Sequence, residues 1–272
     1  MAAYQASLER HLAKYKSRRL GVQEAGVFER NGRGCQHILP LRLRQLNILE
    51  PFRAEFWAYL RDHPEVRLHK YFHHLNSSQA LAFNLFFPFF SAGGDAAAPL
   101  LRSLGTSAVL GCWKFEYVPD ITEGTNVDVA WQSPEGEWTF CEVKLSETEF
   151  GAAKPDSRHR SKCDTVYRKR LSGLIEPGFL EFEQFCRHYQ LLRNVSLLSQ
   201  AAATQVVFLL PSANEALAAP LNRVLNALTT SGRERVRVAY LESVLASLQA
   251  EAALAPTLRM CAFWLAEKYV PT

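Results

Sequence analysis

The stretch T-N-V-D-V-A-W (125–131), the turn Q-S-P-E-G-E (132–137) and W-T-F-C-E-V-K-L (138–145) together decide how this chain folds. The two outer runs are rich in aromatic and β-branched residues and read as strands. Between them, Pro134 presets the first turn position, Glu135 takes the second, and Gly136 supplies the left-handed conformation of a three-residue hairpin loop. The register that pairs Ser133 with Glu137 also sets Asp128 opposite Glu142, with Cβ atoms about 5 Å apart. A G1 bulge at this turn would shift the pairing by one position.

Side chains alternate along a strand, so Glu142 and Lys144 share one face while Cys141 and Val143 take the other. Val127, Val129 and Trp131 are expected to join the apolar face, leaving Asp128, Glu142 and Lys144 together on the opposite one. Two adjacent carboxylates repel unless a cation lies between them. Oxygen donors in that arrangement suit Mg²⁺ or Mn²⁺ and not zinc. Such a metal polarises a phosphoryl oxygen and lowers the pKa of a bound water. Lys144 would orient that water or offset charge developing at phosphorus. The bland alternative is an exposed strand pair carrying a Glu142–Lys144 charge contact of little energetic weight.

Working outward, Trp113 to Val118 reads as a third strand, and its Glu116 is a candidate additional acidic ligand. Beyond the hairpin lies a basic helical stretch at about 160–172. From Lys154 to Arg170 the chain carries Lys154, Arg158, Arg160, Lys162, Arg168, Lys169 and Arg170 against only Asp156 and Asp164, in a protein whose net charge is +4. The positive charge is concentrated there, which suits phosphate contact, the alternative being a solvated helix face. A long helix at 179–199, a buried strand T-Q-V-V-F-L-L (204–210), a helix at 214–229, a strand at 235–240 and two closing helices follow.

Before the hairpin, an opening helix runs to about Lys16, then a loop from Gly21 to Gly34, then a helix from Pro51 to Asp62. Asn76-Ser77-Ser78 offers N-cap chemistry to the apolar helix around Leu81 to Phe90, and Gly93-Gly94-Asp95 breaks the chain before a short helix through Leu104. The order implies an α/β protein with a mixed sheet flanked by helices. Without a linker, a single domain over 1–272 is favoured, its core at about 76–210 and a helical extension at 1–75.

The composition excludes several classes. Hydrophobic residues at 48% supply a full core, and no segment resembles a signal peptide or a membrane span. Six scattered cysteines without a C-x-x-C pair argue against a zinc knuckle or disulfide framework and fit the cytoplasm. His69, His73 and His74 lack ligand spacing and read as structural or surface residues. Asn76 and Gln79 read as capping and packing residues, and Phe83, Phe86, Phe87, Phe89 and Phe90 as core.

An Asp on one strand followed by E-x-K on the next resembles the PD-(D/E)xK nuclease superfamily, which includes many restriction endonucleases. Its α-β-β-β-α-β core matches the element order from Asn76 to Leu210, although Val127 stands where the superfamily's name has Pro. The combination of N-S-S-Q-A-L-A-F-N-L-F, T-N-V-D and E-V-K-L-S-E-T-E-F-G is similar to a bacterial group of restriction-endonuclease-like proteins in that superfamily. The resemblance implies a metal-dependent nuclease, endonuclease rather than exonuclease, with DNA the expected substrate and a homodimer compatible with it. Asp128 and Glu142 would hold Mg²⁺, Lys144 would act with the attacking water, and Gln190, in H-Y-Q-L-L-R-N, would orient the site. The alternatives are a catalytically inactive nucleic-acid-binding or structural member of the same fold and an unrelated α/β interaction protein.

Overall fold

In a computed structural model, which describes residues 3–121, 123–200 and 205–271, the hairpin forms without a register shift. The strands Val127–Gln132 and Trp138–Val143 pair antiparallel, Val129 with Cys141 and Gln132 with Trp138. Gly136 takes φ 91°, and the Ser133 amide donates to the Glu137 carbonyl at 2.9 Å.

Among the described residues the helices are α1 (Ala3–Arg19), α2 (Glu50–Asp62), α3 (Ser78–Ser91), α4 (Gly94–Ser103), α5 (Ser157–Lys162), α6 (Arg168–Leu171), α7 (Phe182–Arg187), α8 (Tyr189–Ser196), α9 (Glu215–Asn226), α10 (Thr230–Arg233), α11 (Leu241–Ala250) and α12 (Pro256–Tyr269). A small hairpin joins β1 (Gly26–Phe28) to β2 (Arg33–Cys35). The main sheet runs β3 (Trp113–Tyr117), β4 (Val127–Gln132), β5 (Trp138–Val143), β6 (Gln205–Leu210), β7 (Val236–Tyr240) in spatial order. The first three strands form an antiparallel meander; β6 and β7 add in parallel after helical crossovers, as parallel pairing requires. This is the mixed α/β architecture of a restriction-endonuclease-like fold.

The sheet is buried on both faces. Val129, Trp131, Cys141, Val143, Val207 and Leu209 pack with α3 and the N- and C-terminal helices, whereas Ala130, Phe140, Val206 and Phe208 face a second core under α5–α9. Ser77 caps α3, its side chain accepting from the Ala80 amide, and every residue from Gln79 to Phe90 is buried. A helix apolar all round has to lie inside the protein. Truncating one of its phenylalanines, such as Phe83, would cost about 3–5 kcal/mol.

Four expectations need correction. The segment 179–199 is not one helix: it breaks at His188 (φ −110°, ψ 24°), with tight turns at Pro177–Leu180 and Leu197–Ser199 flanking α7 and α8. The break arises because the Gln190 amide donates to the Gly151 carbonyl at 3.2 Å, a tertiary contact. Val127 does not join Val129 and Trp131 but packs in the second core. Next to it, across the ladder, Glu116 takes φ 50°, which interrupts the alternation at the end of β3. The basic stretch spans α5, a π-helical turn at Cys163–Tyr167, and α6. Within 21–34, part of the expected loop forms β1 and β2. Thr204, expected to begin a strand, lies outside the described residues.

Candidate active site

Asp128 is the second residue of β4, Glu142 the last but one of β5, and Lys144 directly follows that strand, so the strand pairing delivers all three to one end of the sheet. They border a cleft of about 440 Å³ together with Glu116, Gln190 and Gln79. Lys144 Nζ lies 2.7 Å from Glu142 Oε1, and both residues are buried, so the exposed strand pair of the bland reading is not what forms. The Val143 amide donates to Asp128 Oδ2 at 2.7 Å.

Two amides on α8 fix Glu142. Gln190 Nε2 donates to its Oε1 at 2.7 Å and Asn194 Nδ2 to its Oε2 at 3.0 Å, while Gln190 Oε1 accepts from Lys144 at 3.3 Å. The helix break at His188 places Gln190 in the first turn of α8, facing Gly151, whose φ of 105° suits glycine. A Cβ there would come within 2.9 Å of Gln190 Oε1. Glu116 is held by Gln79 Nε2 at 2.8 Å and Asn126 Nδ2 at 2.5 Å. Its left-handed backbone is the kind of local strain that concentrates at functional sites.

The electrostatics are those of a crowded carboxylate site. Burial and then the charge of Glu142 hold Asp128 well above the ordinary carboxylate range, with Lys144 and the Val143 amide opposing. Burial also raises Glu116. For Lys144, burial pulls the pKa down, but Glu142, Glu147 and Asp128 more than offset it, so the ammonium is held above its ordinary value. Among the described residues no group of three or more His, Cys, Asp or Glu side chains is gathered to hold a metal ion by itself. A hard cation that keeps several waters and takes one or two carboxylates is the kind that this donor set suits. A cation would also relieve the repulsion that drives Asp128 upward.

Gln79, Asn194 and Glu147 are site residues that sequence reasoning missed. Gln79 contacts Glu116 and does more than pack; Asn76 Nδ2 donates to Ser146 Oγ at 3.0 Å and is not the cap. The four-residue spacing of Gln190 and Asn194 on one helix face was the available signal. His69 and His74 line the same cleft.

The basic segment is mixed. Lys154, Arg158 and Lys169 are exposed, and the Arg160 guanidinium lies 4.0 Å above the Phe182 ring. Lys162 donates to the Glu123 carbonyl at 2.6 Å, Arg168 pairs with Asp164 at 3.0 Å, and Arg170 pairs with Asp120. Part of the charge therefore braces the loop before β4. Buried Glu123 accepts from the Thr125 amide and from Tyr167, and Lys162 lies 3.6 Å away.

A meander extended by two parallel strands, with acidic and basic groups gathered where β4 and β5 meet, defines a restriction-endonuclease-like protein. Residues 9–270 match the family described as "Restriction Endonuclease associating with ARP", and the chain belongs to that family. No curated protein and no solved structure matches it at a significant level. No helix among the described residues is long and apolar enough to cross a membrane.

Proposed function

We propose that this chain is a metal-dependent nuclease of the PD-(D/E)xK type that hydrolyses phosphodiester bonds within nucleic acid, DNA being the expected substrate. The observation that carries the reading is that Asp128, Glu142 and Lys144 line one open cleft, with Asp128 bonded by the Val143 amide and Glu142 paired with Lys144. Asp128 and Glu142 would hold Mg²⁺ or Mn²⁺, with Glu116 a further candidate ligand. When bound, the metal supplies Lewis-acid activation of water and of a phosphoryl oxygen.

The chain's own groups do the rest. Gln190 and Asn194 occupy both oxygens of Glu142 and lock its carboxylate plane. Lys144, kept charged by its neighbours, is among the described residues the one ammonium bonded into the carboxylate cluster, where it would offset negative charge and orient a water. Lys154, Arg158 and Lys169 are exposed and would meet phosphates of the bound strand, and Arg160 presents its charge from above Phe182.

The test is incubation with plasmid, linear duplex, single-stranded DNA and RNA, with Mg²⁺ or Mn²⁺ and an EDTA control. Metal-dependent cutting is expected from the parent, and Asp128→Asn, Glu142→Gln and Lys144→Ala should each lower it by about 100-fold or more. The carboxylate variants should lose calorimetric Mn²⁺ binding while Lys144→Ala retains it. Equal cutting by all three would move the active site elsewhere, and absence of cutting on every substrate would favour an inactive binding protein.

A further inference from the structure

The cleft does not end at the carboxylates. His74 and Asn76 line it, and they also line a second hollow of about 520 Å³. Its walls are the β1–β2 hairpin and α1, the latter through Gln5 and Glu9. The segment around His37 is held against the 72–75 loop by an Ile38–His74 bridge and by a Leu75 amide donating to the His37 carbonyl at 3.2 Å. The N-terminal extension thus builds an annex to the site.

Three rings form the saddle between the two spaces. Centroids of Tyr71 and His74 are 4.9 Å apart, of Phe28 and His74 5.8 Å, and of Phe28 and Tyr71 6.1 Å. Tyr71 faces the carboxylate cleft, Phe28 the annex, and His74 both. His74 is only 7% exposed, and its Nε2 is buried without a hydrogen-bond partner among the described residues. A buried polar atom without a partner is costly unless a ligand satisfies it.

The annex mixes donors and acceptors. Gln5 Nε2 donates to Glu9 Oε1 at 3.0 Å, and His37 Nε2 lies 3.9 Å from the same oxygen. Among the described residues Arg33 is the one Lys or Arg side chain in its lining. Glu9 repels a phosphate but accepts from an amino or imino edge. An aromatic saddle beside mixed hydrogen-bonding groups is what recognises a nucleobase, by stacking and by its edge.

We propose that this annex receives a nucleobase unstacked from the strand whose phosphodiester lies over Asp128 and Glu142. The strand's position rests on the nuclease reading; base binding itself requires neither metal nor cleavage. The full chain in EDTA is therefore titrated with each of the four nucleoside 5′-monophosphates and, in parallel, with ribose 5-phosphate, following histidine ring signals by NMR. At least one nucleotide should shift the His74 and His37 signals and saturate below about 10 mM, while ribose 5-phosphate leaves them in place. Tyr71→Leu should weaken that nucleotide about tenfold, Tyr71→Phe less than about twofold. Glu9→Gln, a change at the annex wall that keeps size and shape, should reorder the four nucleotides.

Equal shifts from ribose 5-phosphate would make the annex a phosphate site and overturn the proposal. So would the absence of saturation with every nucleotide, or an unchanged order in Glu9→Gln. Saturable nucleotide binding by a chain that cuts nothing would sink the nuclease reading and leave the base site standing; cutting without nucleotide binding would do the reverse.

Discussion

Two buried lysines sit in opposite surroundings. Lys268 on α12 donates to the Asn47 carbonyl at 2.5 Å and to its side-chain oxygen at 2.8 Å, both neutral acceptors. Burial, followed by the charge of Arg53, holds its pKa well below the ordinary value. The surrounding network is closed: Asn47 Nδ2 donates to the Phe72 and His74 carbonyls, while Asn84 accepts from the Leu49 amide and donates to Tyr269. Lys144 instead lies among carboxylates that hold it charged while they repel one another. A closed neutral network stabilises a fold; a crowded charged one at an open cleft has unspent affinity for a ligand. That difference separates the candidate site from the network around Asn47 and Lys268.

The largest expected effect breaks the two apart. Lys144→Ala should lower cutting per folded molecule by about 100-fold or more, beyond the stability lost by leaving buried Glu142 without its ammonium. Asn47→Ala should do the opposite, costing about 3 kcal/mol of stability by stranding buried partners, with activity per folded molecule retained. Urea unfolding beside a cleavage assay reads both, and matching losses in the two variants would erase the distinction.

His74 links the two regions, its carbonyl bonded by Asn47 and its ring in the cleft. Burial, and then the charges of His73, His37 and His69, lower its pKa to about 3. The unfolded chain takes up that proton near pH 6.5, so the unfolded state binds more protons between these values. The stability is therefore present above about pH 6.5 and lost as pH falls toward the folded value. From pH 7.5 to 5 the loss should be about 2 kcal/mol. His74→Phe, which keeps a ring, should remove that share of the acid sensitivity; identical pH profiles for variant and parent would show that the ring is solvated.

The smallest effect sharpens the idea of repulsion. Without added metal, Asp128→Asn should melt a little above the parent, by about 1 kcal/mol in stability, because burial and Glu142 disfavour the charged carboxyl. Added Mn²⁺ should raise the parent's melting temperature and leave the variant's unchanged.

The hairpin and its three charged residues were legible because turn chemistry and a two-residue period together specify register. The succession of the main strands along the chain was legible because runs of aromatic and β-branched residues stand between turn signals. Gln79 was not, since a glutamine on an apolar helix has no local sign that its partner is Glu116, 37 positions away. The β1–β2 hairpin has strands of three residues, too short to show a period. The break at His188 was hidden because H-Y-Q-L-L-R-N contains no Gly or Pro to mark it, while the Gly151 carbonyl that takes the Gln190 amide is distant in sequence. Val127 was misplaced because strict alternation was assumed back to the start of β4, where the left-handed Glu116 on the neighbouring strand disturbs it.

The bond between Asn84 and Tyr269 spans 185 positions. During synthesis, α3 leaves the ribosome long before α12, which shares its core and holds its central amide. Until α12 arrives, a strongly apolar segment waits with part of its covering missing, and contacts so distant in sequence are slow to form. The most apolar helix therefore lacks part of its cover until synthesis is nearly complete. Pulse-labelling should find α3 protected only after α12 has emerged.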